Sequence, residues 1–378
     1  MIHRTARGLA AALLVTSLAL TAAAGPYSQS WDDAANPYDA PVPGFVGPDG
    51  DGACLADGPN NHVNPAFLGW AARVVDYTPA PPADPPYDTT EYATRRGVAP
   101  GFDNAQTALG PVTGNTADCV SLGDLYGDQI AAGVAPGSIT LGFDLPIANG
   151  PGGDLAVFEN SFYSAGTWAE LAYVEVSTDG ATFARFPSGS LTSDPVGPYG
   201  PVDATDIHNL AGKHVNAYGA SWGTPFDLDD LADHDDVMAG LVDLMAIRYV
   251  RIVDVPGSGD FADSDGRPIY DSWTTWGSGG FDLDAVGVLN SLVRGDFNGD
   301  GALNGLDIPD FKSALADPET WSASHGRNAN LLGDFSGDGV LNGLDIPGFK
   351  SALSGVAIPE PGTIVALASA LVLGMRRK

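Results

Sequence analysis

Basic side chains are scarce in this chain of 378 residues. Its 17 Lys and Arg stand against 47 Asp and Glu, for a formal net charge of -30. Five of the cations (Arg4, Arg7, Arg376, Arg377 and Lys378) lie at the two extremities, leaving 12 for everything between. Such a field repels nucleic acid and anionic lipid and attracts cations. Cysteine is scarcer still. Cys54 and Cys119 are the only two, which excludes a disulfide-dense scaffold and a thiolate zinc site. In an exported chain the pair could form one disulfide that pins a long irregular stretch. The six histidines (His3, His62, His208, His214, His234 and His325) never fall at His-x-x-x-His or a similar ligand spacing. There is no Gly-x-Ser-x-Gly nucleophile elbow and no phosphate loop, and the Gly-rich pieces GPGGD and GSGGF lack the residues of a cofactor cradle.

The chain does have one motif written twice. Residues 295–315 read GDFNGDGALNGLDIPDFKSAL and residues 333–353 read GDFSGDGVLNGLDIPGFKSAL, an offset of 38. The first copy places Asp296, Asn298, Asp300, Asn304 and Asp307 at positions 1, 3, 5, 9 and 12 of a twelve-residue calcium loop, with the carbonyl of Ala302 at position 7. The second places Asp334, Ser336, Asp338, Asn342 and Asp345 likewise, with the carbonyl of Val340 at position 7. Gly301 and Gly339 hold position 6, where the loop turns too sharply for a Cβ. A hard cation taking 6–8 oxygens explains the crowding of like charge. Asp, Asn and Gly also dominate ordinary turns, but two copies in one register, each before an apolar run, favour calcium.

Both ends read as addresses. A basic head, the apolar run LAAALLVTSLAL and small residues Ala22–Ala24 make residues 1–25 a secretory signal. At the other end Ile358-Pro-Glu-Pro-Gly362 precedes an apolar run over 363–375 and a basic stop. That run is short for a spanning helix, which needs about 20 residues. It suits a short apolar helix, transiently in the membrane as the chain's transmembrane segment, until a sorting protease cuts the tail at 357–378.

Between them, residues 26–136 are rich in Pro, Gly, Asn and Asp, including TPAPPADPPYD at 78–88, and predict long loops with few strands. Their scattered aromatics (Trp31, Phe45, Phe67, Trp70, Tyr77, Tyr87, Tyr92 and Phe102) predict packing onto the strand-rich residues C-terminal to them. From Ser121 onward strand signals are regular: 138–144, 154–159, 171–177, 182–186, 247–255 and 281–289. Polar residues interleave with apolar ones at 172–176 and 248–252, as on half-exposed strands, and Thr178-Asp179-Gly180 marks a hairpin turn. The expected fold of 26–290 is mainly β, an antiparallel jelly-roll-like β-sandwich with a loop-rich N-terminal part. A small α-helical calcium-loop pair occupies 291–356. The run DLDDLADHDD at 227–236 predicts a short polar helix.

Acidic residues recur beside these strands: Asp154, Glu159, Asn160, Asp254, Asp260, Asp263, Asp265, Asp271, Asp282 and Asp284. Asp282 and Asp284 share one face of their strand. With Glu159 and Asn160 they form a candidate third calcium site, although turn-capping carboxylates on an acidic surface read the same way. Glu159 or the loop acids would also serve a glycosidase. Trp222, Trp273 and Trp276 offer faces for sugar rings or anchors for their loops.

Two resemblances rest on these residues. The Pro-Glu-Pro tail resembles the C-terminal sorting signal of exported bacterial surface proteins, and GSITLGFD, DLAVFEN, AYVEVSTDG, RIVDV and GGFDLDAVGVL resemble a module found on such proteins. Residues 295–353 resemble a type I dockerin, which binds two calcium ions and attaches its carrier to a cohesin module. The family's recognition positions fall on Gly305-Leu306, Gly343-Leu344, Phe311, Lys312, Phe349 and Lys350. The hydroxyl pair frequent in cellulosomal dockerins is absent, and Pro309 and Pro347 enter the helix starts, where proline is tolerated. The implied protein is a non-enzymatic, calcium-stabilised surface or matrix protein that binds carbohydrate or a cohesin-like partner. Its rivals are a secreted polysaccharide hydrolase and a purely structural envelope protein.

Overall fold

A computed structural model describes residues 25–28, 39–47, 60–81, 98–163, 166–214, 216–218, 220–275, 279–325 and 327–355. The secretory signal, Cys54, the end of the Pro-rich stretch, Trp276 and the sorting tail lie outside the described residues. Among the described residues no helix is long and apolar enough to cross a membrane.

The fold is mainly β, with antiparallel sheets. In chain order the strands of the two main sheets are β1 (Val42–Pro43), β2 (Gly69–Trp70), β3 (Arg73–Thr78), β4 (Val120–Ser121), β5 (Ser138–Ile147), β6 (Leu155–Glu159), β7 (Leu171–Ser177), β8 (Ala184–Arg185), β9 (Trp222–Phe226), β10 (Ile247–Val255) and β11 (Asp282–Val288). One sheet runs β1-β9-β6-β11-β2, with β4 also on β11; the other runs β8-β7-β10-β5-β3. Strands β7 and β10 pair along the whole of β7, from Leu171 opposite Val255 to Ser177 opposite Tyr249.

The two sheets share one apolar core. Leu155 and Val157 of β6 and Val286 and Val288 of β11 join Ile139 and Leu141, Val174 and Val176, and Val250 and Ile252 from the other sheet. Burying each such side chain contributes about 1.5–3 kcal/mol. The alternate residues of β6, Ala156 and Phe158, face outward, yet they too are buried, under Phe45, Phe67 and Val112 of the N-terminal part. Of the scattered aromatics, Phe45, Phe67 and Trp70 pack in that layer, while Trp31, Tyr87 and Tyr92 lie outside the described residues. The outer side of β7 is covered in the same way, with Leu171 and Tyr173 under Val202, Ile207, Leu210 and Ile269 from the long connections.

This covering explains one difference from the sequence reading. The interleaved β10 is alternately exposed as expected, but all seven residues of β7 are buried. The charged residue of β7, Glu175, is accommodated because Arg185 Nε donates to its Oε1 at 2.8 Å and Arg251 Nε to its Oε2 at 2.6 Å. The turn after β7 is wider than a two-residue hairpin and is closed by Asp179 Oδ1, which accepts from Ala181 N and Thr182 N. The acidic run near 230 forms a short 3-10 turn, Leu228–Leu231, and a short helix, Asp235–Met238; Leu228 and Leu231 anchor it in the core.

A separate apolar cluster belongs to the C-terminal residues alone: Phe297, Phe311, Ala314, Trp321, Ala329, Leu332, Leu341 and Phe349. Helices Ile308–Ala316 and Ile346–Leu353 each carry their proline in the first turn, and Pro318–His325 and Ala329–Gly333 connect them. Phe311 and Phe349 stack at 3.8 Å between ring centroids.

Candidate metal sites

The repeated sequence folds into a repeated structure. In the first loop Asp296 Oδ1 accepts from Gly299 N at 2.7 Å and its Oδ2 from Gly301 N at 2.9 Å. In the second, Asp334 Oδ1 accepts from Gly337 N at 2.6 Å and its Oδ2 from Gly339 N at 3.0 Å. The last carboxylate closes each loop. Asp307 accepts from Phe297 N at 2.8 Å and Asn304 N at 2.7 Å, and Asp345 from Ser336 N and Asn342 N, both at 2.8 Å. Gly301 at φ +80° and Gly339 at φ +87° adopt the left-handed backbone that the turn requires.

The middle positions converge. Asn304 Nδ2 lies 3.4 Å from Asp300 Oδ2 and 3.2 Å from the Ala302 carbonyl; Asn342 Nδ2 lies 3.0 Å from Asp338 Oδ2 and 3.4 Å from the Val340 carbonyl. Positions 5, 7 and 9 of each loop are thus in contact, while the Asn304 and Asn342 side-chain oxygens accept from Leu306 N and Leu344 N, each at 2.8 Å. Asn298 Nδ2 adds position 3 to that group, 2.9 Å from Asp300 Oδ2. The donor set is oxygen alone, which fits calcium and no thiophilic metal. The loops differ in their neighbours: Arg327 Nη2 stands 3.8 Å from Asp296 Oδ2, and Leu68 lies beside Gly301.

The dockerin-type recognition positions split into two kinds. Leu306 and Leu344, equivalent in the two loops, are 67 % and 69 % exposed. Phe311 and Phe349 are buried against each other and are not available to a partner.

In the β body, Glu159 ends β6 opposite Leu283, and Asn160 N donates to the Asp282 carbonyl at 3.0 Å. Asp284 lies across a bulge from Asp282 and accepts from Asn216 Nδ2. Burial pushes the Asp284 carboxyl up to about 7, and burial with the Asp282 charge pushes Glu159 well above the usual carboxylate range. Glu159 is 1 % exposed, so no glycan reaches it. Cys119 is buried beside these acids; its expected partner, Cys54, lies outside the described residues. Trp273 is a loop anchor, its Nε1 donating to the Leu125 carbonyl at 2.9 Å. Among the described residues no three His, Cys, Asp or Glu side chains stand ready as a metal cluster on their own; calcium sites also draw on amide and carbonyl oxygens.

A buried ionic network had no signal in the sequence. Lys213, wholly buried, donates to Asp39 Oδ2 at 2.8 Å and to the Ile207 carbonyl at 2.7 Å. His208 Nδ1 lies 3.1 Å from the same Asp39 oxygen, and His214 Nε2 donates to the Asp39 carbonyl at 3.1 Å. Burial opposes the Asp39 charge, but the bond from His208 and the charge of Lys213 outweigh it and hold the carboxyl at about 2. Burial, with Lys213 alongside, presses the His214 imidazole down to about 3. A cavity of about 470 Å³ opens beside this network, lined by Asp39, His208, Asn209, Asp227, Asp230 and Asn290 among others.

His214 carries a pH prediction. Its folded-state pKa lies below the unfolded value of about 6.5, so the unfolded chain takes up the proton first as pH falls. Its contribution should fall away from about pH 6.5 down to about pH 3, by roughly 5 kcal/mol in all at 1.36 kcal/mol per pKa unit. Urea unfolding of wild type and His214→Gln at pH 7, 5 and 4 checks it. The wild type should lose ground to the variant at each step, and a constant difference would rule it out.

No family model matches the chain, and no curated protein matches it.

Proposed function

We propose that this protein is a non-enzymatic, calcium-stabilised component of the cell surface or extracellular matrix. The observation that carries the reading is the pair of loops, 38 residues apart, with oxygen-bearing groups at the same positions, the same positive-φ glycines and equivalent closing bonds, from Asn298 N and Asn304 N to Asp307 and from Ser336 N and Asn342 N to Asp345. In this reading residues 291–356 are a dockerin-like module that holds two calcium ions through Asp296, Asn298, Asp300, Ala302, Asn304 and Asp307 and through Asp334, Ser336, Asp338, Val340, Asn342 and Asp345. Residues 26–290 are a jelly-roll-like sandwich. The secretory signal and the Pro-Glu-Pro tail, cut by a sorting protease, would deliver the chain to the exterior, where calcium is plentiful and the loops act as a permanent brace.

The partner surfaces are assigned by exposure. Leu306 and Leu344 would meet a cohesin-like module. The cavity beside Asp39, Asn209 and Asp230, which mixes polar and apolar lining, is where a polysaccharide would bind.

Calorimetric titration of the full chain and of an Asp296→Ala/Asp334→Ala variant tests the calcium reading. The variant should bind two fewer ions and lose the gain in helical circular dichroism that calcium produces, because metal binding free energy there is folding free energy. Equal stoichiometries would sink it.

A further inference from the structure

Among the described residues three aromatic side chains are exposed, and all three gather just beyond the end of β6. Tyr163 is 57 % exposed, Tyr199 62 % and Tyr218 75 %. They border a stacked pair on a short antiparallel ribbon, in which Phe162–Tyr163 runs against Thr167–Trp168. The Phe162 and Trp168 rings lie 4.6 Å apart between centroids, and Tyr218 stands edge-on to Phe162 at 5.5 Å. Trp168 Nε1 donates to the Pro198 carbonyl at 3.2 Å, which brings the neighbouring Tyr199 to the same corner.

The corner is held by directed bonds. Asn216 N and Ala217 N both donate to the Ser161 carbonyl, at 3.1 and 2.9 Å, and Tyr218 N donates to Thr116 Oγ1 at 2.9 Å. These bonds fix Tyr218 in the left-handed region at φ +57°. A bulky residue is an outlier there, and such positions persist where the surrounding structure enforces them, chiefly at ligand clamps and active sites. Burial gives Tyr218 little in return, so packing does not account for its conformation. A fixed ring offered to solvent is what a binding shelf needs, because little freedom is lost when a ligand covers it.

We propose that Tyr218, with Tyr199 and the Phe162–Trp168 pair, forms a stacking platform for a neutral, β-linked glucan. The negative face of an aromatic ring attracts the axial C–H groups of a pyranose. A sugar whose hydroxyls are all equatorial presents such groups on both of its faces. The net charge of -30 disfavours an anionic glycan. At the usual size of an aromatic side chain, the exposed parts of the three tyrosines come to roughly 400 Å². A stable protein complex buries about 800 Å² per partner, so the platform suits a strip of sugar rings better than a second copy of this chain. It shares no residue with the cavity beside Asp39 and stands whether or not that cavity or the repeated loops bind anything.

The test is calorimetric titration of the full chain with cellohexaose, on wild type, Tyr218→Phe, Tyr218→Asn and the cavity variant Asp230→Asn. Wild type, Tyr218→Phe and Asp230→Asn should bind alike, since each keeps the platform. Tyr218→Asn should weaken binding about tenfold, the loss of roughly one aromatic stack. Its melting temperature should not fall, because asparagine adopts a positive φ more readily than tyrosine. Absence of cellohexaose binding at millimolar concentration would overturn the proposal, as would equal affinity in Tyr218→Asn. A wild-type dimer in sedimentation that Tyr218→Asn dissolves would also overturn it, by giving the patch to a second copy. The cavity reading fails differently. Binding lost in Asp230→Asn alone would place the glucan in the cavity and sink the platform, whereas binding lost in Tyr218→Asn alone supports the platform and leaves the cavity without that ligand.

Discussion

Lys213→Ala should destabilise the β body by about 3–5 kcal/mol, the usual cost of removing one partner from a buried ion pair. Lys213 is 0 % exposed and Asp39, its partner 174 residues away, has a side chain 6 % exposed. Without the ammonium, Asp39 stays buried with an uncompensated charge, and the Ile207 carbonyl loses its donor. The loss reaches further than one contact. Ser28 Oγ and the two histidines also bond to Asp39, so the pair fixes where the N-terminal stretch lies against the 207–214 connection. Replacing both partners, Asp39→Leu with Lys213→Met, should recover much of the loss, because no orphaned charge remains. Thermal and urea unfolding of the single and double variants measures this. A single-variant loss under about 1 kcal/mol would show that the pair is solvated in solution.

Phe297→Ala should cost about 3–5 kcal/mol within the C-terminal unit, as large-to-small changes of buried aromatics do. Phe297 is position 2 of the first loop and also the centre of the small core, edge-on to Phe311 and Trp321, each at 5.3 Å, and 6.2 Å from Phe349. A core of this size rarely supplies more than about 3–5 kcal/mol, so the unit should unfold without calcium while the β body stays folded. Loss of the near-UV signal of Trp321, with the β signal intact, is the expected result. Calcium affinity of both loops should fall together, since Phe311 and Phe349 join the two helices across one stack. Independent loss in one loop alone would argue that the two copies fold separately.

The features legible in the chain are those written locally. Strands β7 and β10 are delimited to the residue because runs such as LAYVEVS and IRYVRIVDV are dense in β-branched and aromatic residues bounded by turn formers. The two repeated loops are legible because the side chains that close each of them lie within twelve consecutive residues, so spacing alone marks the repeat. The helix starts at Ile308 and Ile346 are marked by their prolines.

The N-terminal part is harder to read because its order comes from the surface it covers. Phe45, Phe67 and Val112 have no periodicity of their own and are placed by the outward face of β6. The buried carboxylates show the limit most clearly. Glu159, Asp254 and Asp282 are visible as acids beside strands, but Asp124 and Glu170 carry no local mark. Only strand pairing over a shared apolar core buries them, which no local run of residues records. Lys213 and Asp39 meet across 174 residues, from a turn and a long connection, a contact that no spacing rule encodes. Local donors within one loop can be counted from the chain. Charges that converge from distant strands depend on sheet order and register, which hydrophobic packing sets after the strands have formed.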